Sequence, residues 1–303
     1  MAEQKSKFDR GIFLQLRGGM TRFVVKVDNE EITAGDADRR LLSVRKQIIN
    51  CDEYRAIIRA WNNAKDYLAG RAIYCPYLAS CMYLIPLAVV DEAIERMDGF
   101  TRAYDEAVEA FVAVYERAKR DARERLKNLY REEDYPAADE VRSRFKFEWE
   151  FKDAGQVFGV PTKLKDVKAA LYTQQVRRAV QRQGDVEETI KYGFREQLRG
   201  LVAHLADRLS PDAKGERKVL RQGAVENVTE WLDAFGPKGE MMGDAETGRI
   251  VAQCRKVLQG VDVKELKDDA KAQEQIAASM ALVKGNLDKM LEKRPTRLIG
   301  GEV

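Results

Sequence analysis

The chain has 303 residues, 45% hydrophobic and 34% charged, enough apolar material for a core or two and too much for a disordered chain. Its 53 basic and 50 acidic residues leave a net charge of +3, so a global polyanion-binding signature is excluded and any basic surface must be local. Four cysteines without a CxxC pair and a single histidine, His204, exclude an ordinary zinc site; neither a metal nor a cofactor is expected, and the cysteines read as reduced thiols of a cytoplasmic protein.

In chain order, Ile12 to Leu16 and Arg22 to Val27 flank a Gly-Gly pair, which predicts an N-terminal hairpin. A helix is predicted from Gly35 to Ile49. A second follows Asp52, read as its N-cap, and stops near Gly70, with Ile57, Trp61, Ala64 and Leu68 as its apolar stripe. Ala72 to Val90 contains no charge, but Pro76, Pro86, three tyrosines and Ser80 argue against a membrane span. It reads as a buried irregular connection, with a helix starting at Pro86.

From Val90 through Ile94, Met97, Thr101, Tyr104, Val108, Phe111, Tyr115, Ala118 and Ala122, spacings of four and three alternate, and Leu126 and Leu129 continue the stripe after a stutter. A heptad helix of roughly 60 Å is predicted, with its distal part projecting. Residues 144–153, RFKFEWEFKD, alternate with period 2. Phe145, Phe147, Trp149 and Phe151 share one face of a strand expected to join the hairpin and pack on helices. Gly155 to Pro161 reads as a hinge. Helices are then predicted at 165–182, 186–209, 211–235, 245–258 and 263–291, with Ser210 and Asp262 as N-caps and Gly236 to Gly243 as a loop.

The expected fold is therefore mainly α with a small antiparallel sheet, built of a long heptad helix and a C-terminal helical bundle. The expected division is linear: 1–160, 161–294 and a loose tail, 295–303.

P-loop, Rossmann, G-x-S-x-G and H-E-x-x-H motifs are absent from the sequence, and no catalytic residue is proposed. Two local basic clusters remain. Arg117 to Lys127 is interleaved with acids and reads as solvated helix pairing. Lys163, Lys165, Lys168, Arg177, Arg178 and Arg182 surround an acid-free run and are candidate contacts to nucleic-acid phosphates. Leu126, Leu129 and Tyr130 are the candidate protein interface, since a long apolar stripe must be covered by the chain itself, a second copy or another protein.

Several pieces recur in an order that carries a resemblance: Lys46 to Tyr54 (KQIINCDEY), Tyr74 to Pro86, Val90-Asp91-Glu92, Phe100 to Tyr115, Tyr135-Pro136 and Val141 to Phe145. Over residues 8–210 they resemble the domain-of-unknown-function family numbered 3150, of phage and bacterial proteins. The resemblance implies an accessory subunit beside MoxR-type AAA+ ATPases rather than a catalyst, and it brings no functional residues. Two readings result. One is a scaffold or adaptor subunit of a multi-protein assembly, of phage or defence type, with a protein partner or self-assembly. The other is a protein that binds single-stranded DNA or RNA. Neither requires a membrane or a small-molecule substrate.

Overall fold

A computed structural model describes residues 8–19, 21–27, 41–211, 216 and 218–292. The fold is mainly α with a small antiparallel sheet, as expected, and a second sheet of two strands. The strands are β1 (Gly11–Gly19), β2 (Val24–Lys26), β3 (Arg45–Gln47), β4 (Ile73–Tyr74), β5 (Met82–Pro86) and β6 (Lys146–Lys152). One sheet has the order β4-β5-β1-β6, and the other pairs β2 with β3. The expected N-terminal hairpin does not form. β2 pairs with β3 instead, Val25 lying opposite Lys46, while β6 joins β1.

The chain divides into two units that are discontinuous in sequence, unlike the expected linear division at 160. Of the described residues, one unit takes 8–14, 70–89 and 151–292, and the other takes 15–69 and 90–150.

The second of these units contains α1 (Asp52–Arg71, all but its last two residues), α2 (Val90–Leu126) and α3 (Ala138–Val141). Of the expected α1 stripe, Ile57, Ala64 and Leu68 are buried and Trp61 is half-buried. Asp52, however, is the first helical residue, and the helix runs one residue past Gly70. On α2, Met97, Tyr104, Val108, Phe111, Tyr115 and Ala118 are buried, so the heptad stripe is core. Its rings meet the strand's aromatic face: Phe147 lies 5.3 Å from Tyr104 and 5.5 Å from Trp61, and Phe145 lies 5.7 Å from Phe111. Phe23 completes the cluster against Tyr54 and Phe111. A Cβ at Gly18 would stand 2.2 Å from the Trp61 ring and 2.5 Å from the Lys146 carbonyl oxygen, so β1 and β6 approach Trp61 only because position 18 lacks a side chain.

The predicted helix over 35–49 is corrected where it is described. Residues 42–44 are irregular and 45–47 form β3; Gly35 to Arg40 lie outside the described residues.

In the other unit, the uncharged stretch forms an antiparallel pair, β4 and β5, rather than an irregular connection. All five residues of β5 are buried, and Pro86 ends that strand instead of opening a helix. The hinge expected at 155–161 holds a short helix, α4 (Ala154–Phe158), which Asp153 and Gln156 start as a capping box. α5 (Lys163–Val167) leads into α6 (Ala169–Leu209), one helix of 41 residues where two were expected. Gly184 does not break it, because a lone helical glycine costs only about 1 kcal/mol relative to alanine. Ser210 closes α6 rather than opening a helix, and the described residues before Gln222 are not helical.

α7 (Gln222–Met242) runs through Gly236 and Pro237, replacing the expected loop, and ends at Gly243 with φ 61°. α8 (Ala245–Leu258), α9 (Val263–Asp268) and α10 (Ala270–Glu292) follow; Asp262 caps α9 through the Lys264 amide. Phe8, Phe13, Phe158 and the apolar faces of α6, α7, α8 and α10 form one core. The tail from 295 lies outside the described residues. Among the described residues, no helix is long and apolar enough to cross a membrane.

Candidate nucleic-acid interface

α6 has two unlike halves. From Val186 onward it buries Ile190, Phe194, Leu198, Val202, Leu205 and Leu209. Before Val186, no residue of α5 or α6 is buried. The pairing of basic residues divides at the same place, Arg208 excepted. In the second half, Arg195 donates to Asp244 and Glu246, Arg199 pairs with Asp288, and Lys191 lies 2.5 Å from Glu187. In the first half, Lys163, Lys165, Lys168, Arg177, Arg178 and Arg182 are all exposed. None of these six makes a side-chain hydrogen bond or ion pair among the described residues.

The reason lies in the sequence. No acid occurs between Asp166 and Asp185. Helical geometry places Gln174, Arg177, Arg178, Gln181 and Arg182 on one outward arc, and all five are exposed. Arg178 and Arg182 are four residues apart, a rise of about 6 Å. The structure thus brings Arg177, Arg178 and Arg182 onto one surface. Lys163 and Lys165 lie on α5, and Lys168 lies at the start of α6.

Phe145 and Phe147 are 2% and 8% exposed and cannot stack on bases, whereas Trp149 and Phe151 of the same strand are half-buried rather than core.

The candidate protein-contact residues lie at the end of α2. Leu126, Leu129 and Tyr130 are half-buried. This end is tied down. Lys46 Nζ donates to the Leu129 carbonyl oxygen at 2.5 Å and pairs with Asp134 at 2.7 Å. Tyr130 stacks on Tyr135 at 5.1 Å, carries Arg123 over its ring and donates to Glu132, which also pairs with Lys119. Glu132 is accordingly held below the usual carboxylate range, by Lys119 first and Tyr130 second. Arg117 pairs with Glu53. Arg117, Lys119 and Arg123 of the first basic cluster are therefore engaged.

An open groove of about 440 Å³ includes Asp105, Arg142, Lys146 and Glu148, but Arg142 is already paired with Glu109 and Asp105. Burial pushes the Cys75 thiol up to about 12 and Cys254 to about 11, which makes both poor nucleophiles. No group of three His, Cys, Asp or Glu side chains suited to a metal exists among the described residues.

Sequence reasoning missed Lys46, buried at 7% exposure, and Lys238, whose ammonium burial pulls down to about 8. Nothing local in KQIIN or GPKGE marks either lysine. No protein-family model matches this chain, nor does any curated protein or solved structure.

Proposed function

We propose that the protein is a non-catalytic nucleic-acid-binding protein that holds single-stranded DNA or RNA along the first half of α6. The observation that carries this reading is the contrast within one helix. Its core-packed half pairs Lys191, Arg195 and Arg199, and its exposed half leaves Arg177, Arg178 and Arg182 without hydrogen-bond or ion-pair partners among the described residues. An acid-free helical face with glutamines among its arginines offers charge to phosphates and hydrogen bonds to sugars and bases. With a net charge of only +3, binding falls to this face rather than to the protein's overall field. Fluorescence anisotropy of labelled single-stranded DNA and RNA at low salt tests it. Saturable binding, with photo-crosslinks to residues 163–182, is expected; no binding by the wild type defeats the reading.

The second reading is the adaptor subunit that the family resemblance implies. Burial of the heptad stripe inside its own unit removes the main reason to require an outside partner. Its remaining support is the apolar surface that Leu126 and Leu129 keep half exposed beyond that stripe. Replacing both by Asp should abolish assembly with a partner or a second copy while leaving unfolding of the monomer nearly unchanged. Size-exclusion light scattering and thermal melting read the two outcomes.

A further inference from the structure

We propose that the cleft between the end of α6 and the start of α7 binds a phosphate-bearing anion. The cleft has a volume of about 290 Å³ and is lined by His204, Arg208, Arg221, Gly223, Ala224 and Asn227. His204 and Arg208 stand four residues apart on one face of α6, and Gly223 and Asn227 stand four apart on one face of α7. Two helical faces therefore converge, with Arg221 immediately before the first residue of α7.

Three observations point to an anion. First, neither guanidinium, nor the His204 ring, makes a hydrogen bond or ion pair among the described residues. Second, two carboxylates of the flanking helices already accept a hydrogen bond from another residue. Asp207 accepts from Lys218 at 2.6 Å, and Glu226 accepts from Gln222 at 2.6 Å. Asp207 is held below the usual carboxylate range by Lys218 first, and the charges of Arg208 and His204 act in the same direction, so these groups are close neighbours. Third, Arg221 occupies the N-cap of α7 without supplying a capping oxygen. A cation beside the positive end of a helix is unfavourable, and an anion between Arg208 and Arg221 reverses the sign of that interaction.

Planar guanidinium groups match phosphate oxygens in pairs, whereas a single ammonium would act as a point charge. The volume lies at the lower edge of ligand cavities, which run from about 300 to about 1,000 Å³. It suits inorganic phosphate or the terminal phosphate of an oligonucleotide, not a whole dinucleotide. This site does not depend on the exposed arginines of α6 and stands if they bind nothing.

The test is titration of the full-length protein with inorganic phosphate, followed by amide chemical shifts. Saturable shifts at Gly223 and Asn227 are expected in the wild type and in Arg178→Ala. In Arg208→Ala and Arg221→Ala the affinity should fall by about tenfold or more, as for loss of a charge-assisted hydrogen bond. Thermal melting confirms that each variant is folded. The wild-type measurement needs no variant: absence of shifts at Gly223 and Asn227 overturns the proposal. Equal affinity in the two cleft variants, or loss of binding in Arg178→Ala, overturns it too. A short oligonucleotide with a 5′-phosphate, compared with its 5′-hydroxyl form, then separates the sources. Competition by the phosphorylated form alone assigns the cleft to a chain end, and lack of competition assigns it to free phosphate.

Discussion

Lys46 shows how one residue can decide a local structure. Its ammonium is buried between the Asp134 carboxylate and the Leu129 carbonyl oxygen. Removing one partner of a buried pair strands the other, at a cost of about 3–5 kcal/mol. Lys46→Ala should lose that much in urea unfolding, and adding Asp134→Ala should cost less than the sum of the two single losses. Strict additivity would show that the pair does not interact.

Lys238 makes a pH prediction. Burial, with Arg71 near, holds its ammonium at about 8, whereas a lysine of the unfolded chain titrates near ~10.4. Between these values the unfolded chain binds a proton that the folded chain has released, so stability rises with pH across that window. Lys238→Met should flatten this rise, because the variant has no group there to titrate. Denaturant unfolding at about pH 7 and about pH 9.5 measures it; identical pH slopes in variant and wild type would refute the assignment.

At the scale of elements, β6 was legible because period 2 leaves little freedom. Phe145 and Phe147 had to enter a core, and the long helix supplied one. Phe147→Ala should cost about 3–5 kcal/mol, against less than about 0.5 for exposed Lys146→Ala. Similar small losses at both positions would mean that the face is not core. The partner of β2 was not legible. A Gly-Gly pair marks a turn but carries no information about distant Arg45–Gln47, whose charged sequence resembles a helix. Likewise GPKGEMMG looks like a loop, and α7 continues through it because Phe235, Met241 and Met242 are buried on either side of Pro237. In α6 the basic residues were legible, but the lack of partners was not, since it depends on which helices pack against which half. That division predicts hydrogen exchange: amides of residues 173–184 should exchange faster than those of 190–205, because no buried side chain holds the first half down. Uniform protection along α6 would contradict it.

For the whole molecule, helical content and a small sheet followed from composition and periodicity, whereas the division into units did not. Phe8, Phe13, Met82 and Leu84 belong to the core of α6, α7 and α10, a long-range grouping that local pattern cannot encode. A fragment that begins at residue 161 should therefore lack these core side chains and fail to fold cooperatively, as calorimetry would show; two independently melting fragments cut at 160 would contradict the discontinuous units. Near-neutral net charge means that binding through the acid-free face of α6 is not masked by a strong overall field. The decisive measurement is the salt dependence of single-strand binding, compared between the wild type and the triple variant Arg177→Ala, Arg178→Ala, Arg182→Ala. The account predicts weaker binding, a slope of log affinity against log salt shallower by up to about 3, and unchanged thermal stability. Equal slopes and affinities would place any nucleic-acid binding elsewhere and contradict it.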